Sequence, residues 1–235
     1  MEGEKLFKQQ YKFETTKGVI ISDIEEAIDK GISSIKHHRK KLEEYVKSHQ
    51  KFLNSLKPVQ ADRKPVIAKL MAEASRKAGV GPMAAVAGVI ADLAVEDMTL
   101  AGAKVAVVEN GGEVSAMSDR PIDIVLSAGD TPLSKKLGFR LKEFPVGVAT
   151  SSGLFSHALS FGEAEAVTIF AENAGIADAA ATAIGNIIKG SDHKGVIEQG
   201  INQALTIEGV KGVFILYQGF TGQGGKIPQI IKIKE

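Results

Sequence analysis

Cysteine is absent from the 235-residue chain, which removes disulfides, zinc-thiolate sites, iron–sulfur ligation and a cysteine nucleophile together. Long hydrophobic runs are missing too. The stretch from Ala78 to Ala91 is among the longest without charge, yet it falls short of the ~20 residues a membrane span needs and holds Gly79, Gly81 and Pro82. The opening residues, MEGEKLFKQQYKF, carry charges where an export signal would place its apolar core. A soluble chain in a reducing cytoplasm, with no membrane, is the expectation.

An excess of one charge is also nearly missing, since the formal net charge is only +1. That balance hides an asymmetry: residues 1–77 hold 17 basic and 11 acidic side chains, whereas residues 78–235 hold 12 basic and 17 acidic. The densest basic run, Lys36-His37-His38-Arg39-Lys40-Lys41, is followed at once by Glu43 and Glu44 and has no interleaved aromatic set for base stacking. It reads as a solvated helix face, and no nucleic acid is expected as a partner. His38 and His49 lie beside the apolar stripe and read as packed side chains, not metal ligands.

Hydrophobic residues make up 44% of the chain and charged residues 24%, the balance of a globular protein, and the length suits one large core over residues 1–235. Residues 5–22 alternate and break at Thr15-Thr16-Lys17-Gly18, the pattern of a β-hairpin. Ser22-x-x-Glu25 has the form of a capping box, and Ile24, Ile28, Ile35, Leu42, Tyr45, Phe52 and Leu56 then recur on one helical face, so a long helix to about Leu56 is predicted. A second helix is expected from Pro65, whose fixed φ suits a first turn. A third, buried one is expected from MAAVAGVIADLAVEDM.

Beyond Lys104 short apolar runs predict strands at 105–108, 114–117, 122–126, 146–150, 167–170, 213–217 and 227–233. Helices are expected at about 174–188 and 196–205. The glycine-rich segment Gly219 to Lys226 reads as a flexible loop. Helices gathered ahead of a mostly antiparallel β region give an α+β fold with a long N-terminal helical segment.

Candidate chemistry concentrates between Gly153 and Asn186. Asp178 and Thr182 are four residues apart in a predicted helix, so a carboxylate and a hydroxyl share one face. Both are hard oxygen donors that suit Mg²⁺ or Ca²⁺ when phosphate oxygens complete the shell. The bland alternative is an aspartate bonded to nearby amides and a threonine bonded back to its helix. Glu109-Asn110-Gly111-Gly112-Glu113 carries the strongest short hairpin signal, and its glycines would also let a ligand approach the backbone. His157 is placed either to hydrogen-bond a ligand or to serve as a satisfied structural histidine. A Ser151/Ser152–His157–Asp178 triad lacks a G-x-S-x-G elbow. Gly79-Val80-Gly81-Pro82 follows a helix and not a strand, so it is no dinucleotide fingerprint, and the C-terminal glycines lack Walker A spacing.

The order GPMAAVAGVIAD (81–92), ENGGE (109–113), TSSGLFSHALSFG (150–162) and ADAAATAIGN (177–186) resembles the ApbE superfamily, and in particular its shorter, cytosolic, largely archaeal branch. The resemblance implies FAD or FMN and Mg²⁺ as ligands and a flavin transferase that places FMN on a threonine of a partner protein. It implies metal-binding roles for Asp178 and Thr182, and cofactor-binding roles for Asn110, Gly111, Gly112, Ser152, Gly153 and His157. His157 and Asp178 are its catalytic candidates. Two departures stand out: Ala87 replaces the lysine of a Lys-Gly-x-x-x-Asp motif that ends here at Asp92, and Leu159-Ser160-Phe161 replaces the Asp-Pro usual after the histidine. Both argue against flavin transfer. The alternative that the branch suggests is an accessory or substrate-binding protein in archaeal sulfide assimilation toward homocysteine, unable without cysteine to form a persulfide. In either case a small-molecule ligand is expected, with a protein partner in the first. The Ala-rich helix carrying Asp178 should pack closely on the helix after Pro82.

Overall fold

The structure is a computed structural model that describes residues 5–13, 16–126, 134–153 and 162–233. Strands β1 (Phe7–Phe13) and β2 (Thr16–Ser22) form the N-terminal hairpin, with Phe13 opposite Thr16. Thr16, Lys17 and Gly18 are therefore strand residues and not a break. Helices α1 (Glu25–Ser48), α2 (Gln50–Asn54), α3 (Val66–Ala78) and α4 (Val86–Leu100) follow, with a 3₁₀ turn over Pro82–Ala85.

Strands β3 (Ala106–Asn110), β4 (Glu113–Met117), β5 (Ile122–Val125), β6 (Leu137–Leu141), β7 (Val146–Ser151) and β8 (Ala166–Ala171) come next. The chain continues through α5 (Ala174–Gly185), α6 (His193–Thr206), β9 (Val210–Tyr217), β10 (Phe220–Gly225) and β11 (Gln229–Lys232).

Eight strands form one antiparallel sheet in the order β1-β2-β3-β4-β7-β8-β9-β10, and a smaller antiparallel sheet has the order β11-β6-β5. The helices cover one face of the large sheet and the small sheet covers the other. Period-two alternation sorts the side chains: on β9, Val213, Ile215 and Tyr217 join the helix-side core while Phe214 and Leu216 join the small-sheet core. This burial on both faces explains why the central strands read as unbroken apolar runs. The mixed helical and antiparallel architecture is the α+β fold expected.

The details differ in five further places. The predicted long helix breaks after Ser48, because the Nδ1 of His49 lies 2.8 Å from the Tyr45 carbonyl that the helix would offer to the His49 amide. That amide bonds Val46 O at 3.3 Å instead, and the imidazole stacks on the Tyr45 ring at 3.8 Å between centroids. The capping box is absent: Ile24 occupies the N-cap without a side-chain bond, and Ser22 Oγ accepts the Ile24 amide at 3.1 Å. Pro65 sits at the N-cap of α3 and not in its first turn.

The glycine-rich C-terminal segment is strand β10, paired with β9 from Phe220 opposite Tyr217 to Gly225 opposite Gly212. A Cβ at Gly222 or Gly224 would overlap Ile197 or Ile201 of α6. Here glycine lets a helix approach a strand, and does not loosen a loop. Strand β6, whose apolar positions are interrupted by Arg140, carried too weak an alternation to be predicted.

Among the described residues no single helix is long and apolar enough to cross a membrane. Helices α3 and α4 are bent by 100° across the break between them.

Candidate functional site

Helices α4 and α5 approach at two glycines. A Cβ on Gly88 would overlap the Ala174 carbonyl, and one on Gly175 would overlap the Val89 side chain. Small residues thus permit the close packing expected of these helices, and that approach brings each helix within reach of a carboxylate from the other.

Asp178 of α5 accepts the Gly88 amide at 3.0 Å in the first turn of α4, and the Ala87 amide also bonds it. In return Asp92 of α4 accepts the Ala174 and Gly175 amides, at 2.9 and 2.8 Å, in the first turn of α5. Each carboxylate satisfies free donors at the positive end of the partner helix. Ser115 of β4 adds its hydroxyl to Asp92 at 2.7 Å. The Ala87 and Gly88 amides at the start of α4 are therefore already occupied from within.

Burial pushes the Asp178 carboxyl up to about 7, with the Asp92 charge adding to the rise and the Gly88 and Ala87 amides opposing it. Burial raises Asp92 as well, against its Ser115, Ala174 and Gly175 bonds. Glu113 is raised well above the usual range by burial and then by the Asp178 charge. None of the three has a basic side chain among the groups that shift it. Asp178 thus senses the charge of Asp92, and Glu113 that of Asp178.

Asn110 closes the same corner from the sheet side. It is buried at the end of β3, where its Nδ2 donates to the Ala87 carbonyl at 2.9 Å and its Oδ1 lies 3.1 Å from the Tyr11 hydroxyl. Gly111 and Gly112 make the two-residue turn beyond it, with φ of +73° and +119°, as the hairpin signal required. They are exposed, so the turn and the asparagine serve different ends: the glycines reverse the chain and Asn110 braces the start of α4.

Successive turns of α5 carry the remaining candidates. Thr182, one turn after Asp178, lines a cleft of about 370 Å³ with Asn186, Met83 and Leu56 among its other walls. Gly185 follows, where a Cβ would stand 2.9 Å from Ser151 Oγ at the end of β7. Next to Ser151, Ser152 is buried and the Gly153 amide donates to Ala164 O at 2.9 Å. The structure thus gathers Asn110 and Asp178 around Ala87-Gly88, turns Thr182 into the adjoining cleft, and sets Ser152-Gly153 by the C-terminal end of α5. His157 lies outside the described residues, as do Leu159, Ser160 and Phe161.

Asp92 and Glu113 were not singled out as site residues in the sequence. For Asp92 the signal was present, a lone acid inside the apolar run MAAVAGVIADLAV; only a partner 82 residues away shows what it holds. For Mg²⁺ the donors fit in kind: a carboxylate has lone pairs for two amides and a metal besides, and Thr182 adds a neutral oxygen. Among the described residues no group of three or more His, Cys, Asp or Glu could hold a metal unaided. A hard cation here needs ligand or water oxygens to complete its shell.

The same architecture recurs in known proteins. The chain resembles the crystal structure of the apo flavinyl transferase ApbE of Pseudomonas stutzeri with a TM-score of 0.60 at 13% identity, covering 94% of each chain. In sequence it is 39% identical over 236 residues to a UPF0280 protein of Methanococcus vannielii, covering 98% of this chain and 95% of the relative. It is 40% identical over 195 residues to a UPF0280 protein of Methanothermobacter thermautotrophicus, covering 82% and 76%. The family described as AbpE bacteria matches residues 15–206. With an ApbE-like fold and full-length archaeal relatives, the chain belongs to that family and, within the ApbE-like superfamily, to its short UPF0280 branch.

Proposed function

We propose that the protein binds FAD, or a related flavin or nucleotide pyrophosphate, noncovalently and together with Mg²⁺ along the Asp178–Thr182 face of α5, without transferring FMN to an acceptor threonine. The observation that carries this reading is the placement of Asp178 against the start of α4, with Thr182 one turn further along α5 on the wall of the adjoining cleft. Asp178 would hold a divalent cation through a carboxylate oxygen, and the cation would neutralise a pyrophosphate. Thr182 adds a second oxygen on the same helical face, and the adjoining cleft of about 370 Å³ receives the apolar part of the ligand.

Ala87 supports the second half of the proposal. Where the resembling transferases carry lysine, a methyl group stands at the start of α4, and the charge-assisted contact it replaces is worth about 1.5–3 kcal/mol. Transfer of a phosphoryl-linked group depends on positioning and charge neutralisation, so binding outlives that loss more readily than transfer does. His157, Ser152 and Gly153 belong to the ligand's surroundings in this reading, with His157 the group for proton handling.

The test measures Mg²⁺-dependent FAD binding by calorimetry, together with melting temperature, for the native chain and for Asp178→Asn. The expected result is a native affinity that needs Mg²⁺ and is lost in the variant while the melting temperature barely moves. If the native chain shows no flavin on purification and no FAD affinity with Mg²⁺, the site reading fails and the accessory role in sulfide assimilation takes its place. FMN recovered on an acceptor peptide would refute the claim of no transfer.

A further inference from the structure

A second cleft lies where the two sheets meet, across the central sheet from the α4–α5 corner. It encloses about 170 Å³ at the start of β7, on the small-sheet face. The cleft takes Val146 from the small-sheet face, whereas the next residue, Gly147, packs on the helix face against Asn173 and Ala174 at the start of α5. The floor of the cleft is apolar and buried, made by Leu141, Val146 and Phe170.

The rim is unlike the region around it. Residues 78–235 carry more acid than base, 17 against 12, yet four of the five charged residues lining this cleft, Arg140, Lys142, Lys211 and Lys226, are cationic and only Glu143 is acidic. Two of the cations are neutralised: Arg140 pairs with Asp123 at 2.7 Å and Lys226 with Glu143 at 2.6 Å. Lys142 and Lys211 have no ion-pair partner among the described residues. The Lys211 ammonium is fixed by donating to the Pro145 carbonyl at 3.2 Å, which uses one of its three protons and leaves two.

We infer that this cleft is a binding site for a small monoanion with a compact apolar body, such as an aromatic or branched short-chain carboxylate. Lys211 and Lys142 receive the anionic end and the Phe170 floor receives the apolar body. Concave apolar walls with a few placed charges are the usual makeup of small-ligand sites. The small volume excludes a dinucleotide, so the site is independent of the one on α5.

The test is an NMR titration of the full chain with benzoate, set against neutral benzamide and inorganic phosphate. Benzoate should saturate shifts at Val146, Phe170 and Lys211, and bind more tightly than either comparison. Lys211→Gln should weaken it about tenfold, the loss of one charge-assisted bond, whereas Lys211→Arg should retain it. Lys142→Gln, at an exposed position, provides a second weakening variant should the first disturb the fold. No saturable shift, equal binding of benzamide, binding of phosphate as tight as benzoate, or lysine variants that bind benzoate normally would each overturn the assignment.

Discussion

On its helix side the central sheet meets mainly alanine, valine and isoleucine, and carboxylates and amides are threaded between them. On its other side Phe139 meets Phe170 and Phe214 edge-on, at centroid separations of 4.9 and 5.7 Å. The same strands serve both faces, so the contrast comes from side chains alone. Where the residues are small, backbones come close enough for Asp92, Asp178 and Asn110 to reach them, and polar chemistry can be built. Where they are large and aromatic, the face is packed and contributes cohesion, with a cleft left only at its rim by the start of β7.

The sharpest test of that contrast is Phe139→Ala. The ring is fully buried, so its removal should cost about 3–5 kcal/mol. Chemical denaturation checks this, and ligand binding by the folded fraction should be unchanged. A comparable loss of FAD affinity would show that the two faces are not separable.

Next in size is Asp92→Ala, which leaves the Ala174 and Gly175 amides without their acceptor and should cost about 1–3 kcal/mol. Because Asp92 also raises the Asp178 carboxyl, titration of Asp178 by carboxyl NMR should move to lower pH in the same variant. An unmoved titration would mean the two acids do not sense each other.

A pH series sharpens the comparison without mutation. The folded Asp178 keeps its proton up to about pH 7 while the unfolded chain releases it near the usual 3.8. The folded state therefore holds more protons across that window, and this group's contribution to stability falls as pH rises through it. A cation must displace the proton, so Mg²⁺ affinity should climb with pH and level off above about 7, falling about tenfold per unit below it. Calorimetry at pH values on both sides of 7 reads this directly, and a flat profile would remove Asp178 from the metal's ligands.

The smallest effect is expected far from both faces, at His49–Asp62. This pair is 3.2 Å apart with Asp62 71% exposed, and exposed ion pairs are worth about 0–1 kcal/mol. Asp62→Asn should shift the denaturation midpoint barely above error. A large shift would make the α1–α2 break a structural hinge point in its own right.

What could be read from the sequence follows the range of the interactions involved. The hairpin at residues 5–22, the apolar stripe of α1 and the buried character of α4 follow from local periodicity, and each is present. The glycines of β10 misled because their meaning depends on Ile197 and Ile201 across a helix–strand contact. Strand β6 was missed because the alternation between Leu137 and Leu141 is short and interrupted by charge. At the site, spacing alone put Asp178 and Thr182 on one face. It could not show that Asn110 turns inward to Ala87, nor that Asp92 and Asp178 exchange places at each other's helix, because those contacts span 23, 82 and 90 residues.

That exchange of carboxylates has a kinetic meaning. The Gly88 and Gly175 amides find side-chain acceptors only on the partner helix, although Asn173 caps the Ile176 amide of α5 locally. Bringing them together closes a loop that contains six strands, and the entropy of that closure precedes any gain from the bonds it makes. The hairpins pair through contacts close in sequence, whereas the α4–α5 corner depends on contacts 82 to 90 residues apart. The candidate site is thus the part of the molecule that a partly folded chain would lack.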